Sequence, residues 1–246
     1  MNPLVSSVHE AVEVLVEGDG LSPVIFCCEH ASNALPEGMS WGHDRGLADT
    51  HWAWDPGAAA VTRALVRSFQ SRAVLSRVSR LVIDTNRPLY SATLFRDIAD
   101  GAPVHLNVGL PDRDRGERVA QWWVPYHNTL SASCQAHPAK LLVSVHSFTP
   151  NYEGQVREVE IGVLFESADD LAAELMTALE PSGMVIRANE PWSGKGGMMY
   201  SCYKHAREAG MAAIELEIRQ DLLADPEKRA HIVAHLDRAI REITGL

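Results

Sequence analysis

The chain has 246 residues, with 22 Lys and Arg against 32 Asp and Glu, a formal net charge of −10. Nucleic-acid binding as the main role is excluded by that balance, because its affinity comes from cationic side chains that neutralise phosphates. At 46% hydrophobic and 22% charged, the chain carries too much apolar surface for disorder and enough for one large α/β core.

No stretch approaches the roughly 18 consecutive apolar residues that a membrane span requires, and Glu10 and Glu13 interrupt residues 1–16 where a secretion signal needs a basic start and an apolar block. The expected setting is the cytoplasm, with neither membrane nor nucleic acid as partner; the oligomeric state is open. Cys27, Cys28, Cys134 and Cys202 show no CxxC spacing and read as reduced thiols, not as a disulfide framework.

In chain order, apolar β-rich runs fall at 23–28, 73–76, 81–83, 141–145, 161–165, 184–186 and 212–218. Helical spacing of apolar residues covers 56–70, with Asp55 placed to cap it and Pro56 in its first turn, then 113–136, 168–179, 200–209 and 226–243. Alternation of this kind predicts a three-layer α/β fold, with a mainly parallel or mixed central sheet covered by helices on both faces. No repeat or long linker marks a boundary, so residues 1–246 read as one domain. Segments 31–49, 88–111 and 189–199 are polar and rich in Gly and Pro, as loops around a site are.

Ligands of open α/β sheets bind beyond the carboxyl ends of the strands. Glu29 and His30 follow the first run, Asp84, Asn86 and Arg87 the third, His146 and Ser147 the fourth, while Glu215, Glu217 and Arg219 lie in or just after the last. Two imidazoles with a carboxylate can hold a metal and leave a position open, and a further carboxylate can act as base. His30 and His146 are the candidate ligands; the plainer reading of each is a hydrogen-bonded structural histidine. Glu215 and Glu217 share one strand face, either a solvated acidic edge or a base beside a cation. Arg87, presented before Pro88, either binds a substrate carboxylate or pairs with Asp84. Asp55 is a helix cap or a ligand.

Other chemistries have weaker support. Gly38-Met39-Ser40-Trp41-Gly42 matches GxSxG but lacks the strand before it and the helix after it that a nucleophile elbow needs. No GxGxxG follows the first run, and the Gly194-Lys195 segment lacks the remaining residues of a phosphate-binding loop.

Seven segments carry a resemblance to a known family. They are Cys28-Glu29-His30-Ala31-Ser32-Asn33-Ala34-Leu35-Pro36, His51-Trp52-Ala53-Trp54-Asp55-Pro56-Gly57-Ala58, Asp84-Thr85-Asn86-Arg87-Pro88, Pro125-Tyr126-His127, His146-Ser147, Asn189-Glu190-Pro191-Trp192-Ser193-Gly194 and Glu215-Leu216-Glu217-Ile218-Arg219-Gln220. In this order the chain resembles the N-formylglutamate amidohydrolases, which are similar in fold to zinc carboxypeptidases and aspartoacylase-type deacylases. The resemblance implies a phosphorylase/hydrolase-like fold, one divalent metal ion, zinc by preference, and hydrolysis of the amide of a small anionic N-acyl amino acid such as N-formyl-L-glutamate. It implies His30, His146 and Asp55 as metal ligands and Glu217 as the catalytic carboxylate. Substrate binding falls to Asn86 and Arg87, helped by Arg219 and Lys195, with Trp192 and Lys195 closing over the substrate. The glutamate that carboxypeptidases place three residues after the first histidine is Asn33 here, which leaves two alternatives: a non-catalytic protein that captures small carboxylates, and a deacylase or peptidase with a different N-acyl substrate.

Overall fold

Alternation of side chains between two faces decides the architecture. The computed structural model describes residues 5–19, 21–136 and 138–246. Its strands are β1 (Val5–Val8), β2 (Val12–Val16), β3 (Val24–Cys28), β4 (Arg72–Ser76), β5 (Ile98–Ala99), β6 (Ala102–Pro103), β7 (Leu141–Phe148), β8 (Asn151–Tyr152), β9 (Gln155–Val156), β10 (Ile161–Leu164), β11 (Ile186–Ala188) and β12 (Ala212–Arg219). Its helices are α1 (Ala58–Phe69), α2 (Asp112–Arg118), α3 (Val124–Gln135), α4 (Asp169–Leu179), α5 (Tyr200–Glu208), α6 (Gln220–Ala224) and α7 (Pro226–Thr244).

Eight strands form one mixed sheet in the order β1-β2-β4-β3-β7-β12-β10-β11. Its centre, β4-β3-β7-β12, is parallel, whereas β1 and β2 continue one side and β10 the other with antiparallel pairing. One face buries Phe26, Val143, Val145, Ile214 and Leu216 under α1, α4 and α7. The other buries Ile25, Cys27, Val74, Leu142 and Ala213 under α3 and α5. This is the expected α/β layering, and α7 is held at its start by Asp225, whose side chain accepts from the amides of Glu227 and Lys228. No helix among the described residues is long and apolar enough to cross a membrane.

Three details differ from the sequence reading. Residues 81–83 form turns, not a strand. Asn107 and Arg118 donate to the carbonyls of Leu81 and Val82, and the Val82 amide donates to Ser79, so the run is apolar and buried without a ladder partner. The helical segment at 113–136 is interrupted by a π-helical turn at Val119–Trp123, which leaves Trp122 and Trp123 packed in the core beneath the sheet. The sequence reading also omits β2, although Val12, Val14 and Val16 alternate with polar Glu13. Its Glu13 pairs with Arg63 of α1.

Candidate active site

The polar residues of the central strands lie on the face covered by α3 and α5, toward the ends where the parallel strands terminate. Glu217 is the ladder partner of His146, and Glu215 that of Ser144, so the two glutamates of β12 stand beside the polar residues of β7. Both are buried, as are Glu29 and His30 just after β3. The turn that replaces a strand at 81–83 delivers Asp84, Thr85 and Asn86 to the same rim, all buried.

Asp55 reaches the rim from the segment before α1. It does not cap that helix: α1 starts at Ala58, with Gly57 at the cap position. Gly57 takes φ of 89°, and a Cβ there would meet Leu223 Cβ at 2.6 Å, so glycine is what lets the chain turn from Asp55 into the helix. Asp55 Oδ2 lies 2.7 Å from His146 Nδ1 and 3.3 Å from His30 Nδ1, and it accepts from the Ser147 amide at 3.3 Å.

The other nitrogen of each ring faces a different carboxylate. His30 Nε2 is 2.8 Å from Asp84 Oδ1, and His146 Nε2 is 3.2 Å from Glu29 Oε2. Burial opposes ionisation of both acids. Even so, Arg80 and His30 hold Asp84 well below the usual carboxylate range, and hydrogen bonds from His146 and Ser144 bring Glu29 down to about 2. Ionised carboxylates only accept, so a neutral histidine that donates through Nε2 to Asp84 or Glu29 turns its Nδ1 lone pair toward Asp55. Two lone pairs and an anionic oxygen then converge, all within 4.8 Å of one another. That set is stable only around a cation. It is a donor set consistent with one metal ion, with each histidine oriented by an outer carboxylate. Without a metal the cation must be a proton: the field of Glu215 and hydrogen bonds to Asp55 and Glu29 outweigh burial and raise the His146 pKa well above the usual histidine value.

The charge balance agrees. Five buried carboxyl groups, Glu29, Asp55, Asp84, Glu215 and Glu217, surround this point. Arg80 is already engaged, 2.7 Å from Asp84 and 3.7 Å from Asp55. Asn33 faces away and donates to the Ala48 carbonyl and Asp49.

Glu217 differs from the other acids because its Oε2 is buried with no hydrogen-bond partner. Burial, reinforced by Asp55 and Glu215, pushes its pKa up to about 8. It lines a cavity of about 180 Å³ together with His30, Asp55, His146 and Glu215. That is smaller than a typical drug-sized pocket and fits a small metabolite. Arg80, Arg87, Arg96 and Arg157 also line it. Among the described residues, Arg87 forms no ion pair; one of its N–H groups donates to the Asn86 carbonyl at 2.8 Å. Asn86 lines the cavity as well; it donates to Glu215 and accepts from the Ser201 amide.

Two residues expected at the substrate are elsewhere. Lys195 is exposed and bonds to the Glu166 carbonyl and Asp169. Arg219 is held by Asp221 and Glu160 and by the carbonyls of Arg157 and Glu158. Trp192, by contrast, lines the cavity. The sequence reading missed Arg80, Arg96 and Arg157; the Glu153-Gly154 turn signal just before Arg157 was the available pointer to the last.

A buried imidazole and carboxylate donor set at the strand ends of a phosphorylase/hydrolase-like α/β fold, facing a cationic cavity, is the arrangement of a metal-centred hydrolase. Residues 22–224 match the family model of N-formylglutamate amidohydrolase, and the chain belongs to that family. A gene product from Agrobacterium tumefaciens is 33% identical, with a TM-score of 0.87 over 96% of this chain and 95% of its own. N-formylglutamate amidohydrolase from Ralstonia eutropha JMP134 is 16% identical, with a TM-score of 0.66 over 97% of this chain and 100% of its own. Bacteriophage poly-gamma-glutamate hydrolase is 12% identical, with a TM-score of 0.51 over 97% and 92%. At those identities the last two likenesses speak for the fold alone. No curated protein matches the chain in sequence.

Proposed function

We propose that this chain, acting as one domain, is a metal-dependent amidohydrolase that releases the amino acid from a small anionic N-acyl amino acid, with N-formyl-L-glutamate as the first substrate to test. The observation that carries this reading is Glu217, a buried and unpartnered carboxyl group in the same small cavity as His30, Asp55 and His146. Those three residues would hold one divalent ion, zinc by the nature of the donors, which would supply Lewis acidity toward water and the amide carbonyl. Glu217 accepts a proton from the attacking water and returns it to the amide nitrogen as the C–N bond breaks, so the products are the carboxylic acid and the free amine. Arg87 holds a carboxylate of the substrate, which fixes the amide relative to Glu217. Asn86 positions Glu215, and Trp52, Tyr152 and Trp192 wall the cavity against bulk water.

The test is release of free amine from a panel of N-formyl-, N-acetyl- and N-succinyl-L-glutamate by the zinc-loaded chain. Turnover of at least one panel member is expected. If the loaded chain binds these compounds and releases no amine from any, it is a carboxylate-binding protein instead.

A further inference from the structure

Beyond β7 the chain makes a short hairpin that the catalytic proposal does not use. Strands β8 and β9 pair Tyr152 with Gln155, leaving Glu153 and Gly154 as a two-residue loop with φ of 52° and 79°. Positive values at both positions define the turn that matches strand twist, and glycine at the second favours it. The Arg157 amide then donates to the Pro150 carbonyl at 2.9 Å, closing the base of the hairpin. Tyr152 and Arg157 both line the cavity as a result.

The Arg157 guanidinium carbon lies 4.6 Å from the Trp192 ring centre, 4.7 Å from Tyr152 and 5.5 Å from Phe148. Aromatic rings stabilise the cation without consuming its N–H donors. One donor goes to the Thr149 carbonyl at 3.3 Å, and among the described residues no carboxylate pairs with this guanidinium. Arg219, whose fork is closed by Asp221 and Glu160, shows how a structural arginine is neutralised in the same neighbourhood. A half-buried guanidinium held over rings, with donors open to a cavity, is built for a planar anion that the protein itself does not supply. Arg87 comes from a separate segment, after the turn at 81–83, and Arg96, 5.3 Å from the Trp52 ring centre, lines the cavity too, so the cavity offers more than one carboxylate fork.

We infer that Arg157 reads a second carboxylate on the substrate and sets a preference for N-acyl amino acids with an acidic side chain over uncharged ones of the same shape. This deepens the amidohydrolase reading and takes from it only the class of ligand.

The test measures binding, so that it does not depend on turnover. Titration calorimetry on the zinc-loaded Glu217→Gln protein compares N-formyl-L-glutamate with N-formyl-L-glutamine, which differ only in the side-chain charge. The glutamate derivative is expected to bind about 30- to 100-fold more tightly, the range for a hydrogen-bonded charge. Adding Arg157→Met removes that preference and changes the affinity for the glutamine derivative by less than about threefold, as expected for a group that fork does not contact. Equal weakening of both ligands marks Arg157 as a structural support and overturns the assignment, as does equal binding of the two before Arg157 is changed. Turnover by the unmodified chain is scored separately: a charge preference that depends on Arg157 without amine release keeps this assignment and contradicts the amidohydrolase reading.

Discussion

The two faces of β12 make opposite use of consecutive residues. Ile214, Leu216 and Ile218 point into the core beneath α4 and α7 and are fully buried, while Glu215 and Glu217 are equally hidden on the other side. Leu216 is held by packing alone, which stabilises the fold and does no chemistry. Glu217 has neither packing partners of its own kind nor a hydrogen bond for Oε2. Burial of an unsatisfied carboxyl group is unfavourable, and this one lines the cavity. The contrast teaches that burial alone does not separate the core face of a strand from its cavity face.

Substitutions on the two faces should therefore separate cleanly. Glu217→Gln is expected to lower kcat on the order of 10³-fold, the scale for loss of a proton-transfer group, while the thermal midpoint stays close to that of the unmodified chain. Full activity in that variant contradicts the role assigned to Glu217. Leu216→Ala, one residue away on the other face, should destabilise the fold by about 2–5 kcal/mol in denaturant titration and leave the kcat of the folded fraction within about twofold. If it abolishes activity in a fully folded sample, the two faces are not independent. A smaller effect is expected from Arg87→Ala, which should raise KM about 10- to 100-fold with a lesser change in kcat, because it removes binding rather than proton transfer.

The mildest test concerns pH and a pair outside the cavity lining. His127 Nε2 is 3.0 Å from the Thr85 carbonyl, and its Nδ1 is 2.8 Å from His205 Nε2. The carbonyl only accepts, so His127 donates to it and accepts from His205, both rings being neutral. Burial, with further help from neighbouring cationic groups, pulls His127 down to about 3 and His205 to about 4. Below roughly pH 6.5, the ordinary histidine value, the unfolded chain binds these protons and the folded chain does not. Stability from the neutral pair is thus complete above that pH and falls as the pH drops toward 4. The thermal midpoint should decline between pH 7 and pH 5, and a chain carrying His127→Gln and His205→Gln should show a flatter decline. An unchanged slope removes the pair from the account.

The buried runs of β3, β7 and β12 were legible as strands because their apolar length exceeds what a loop carries. Residues 81–83 were not, because backbone partners supplied by Asn107 and Arg118 are remote in sequence and turn an apolar run into a buried turn. At the site, His30, His146 and Glu217 were legible by their positions at strand ends. Asp55 was ambiguous, since Asp-Pro before a helical pattern is also a cap signal, and only the folded chain shows its Oδ2 between two imidazoles. The arginines were the least legible. Whether a guanidinium is neutralised, as Arg219 is, or left open to a cavity, as Arg87 and Arg157 are, depends on neighbours that the fold brings from distant segments, and Lys195 likewise pairs with Asp169 away from the cavity lining.

Metal content is the most direct measurement of the central claim. The unmodified chain, incubated with zinc and passed through a desalting column, should carry about one ion per chain by elemental mass spectrometry, as expected for a preformed three-residue donor set, and His146→Ala should carry almost none. Less than about 0.1 ion per chain in the unmodified protein, or equal retention by the His146→Ala variant, contradicts a metal site at His30, Asp55 and His146.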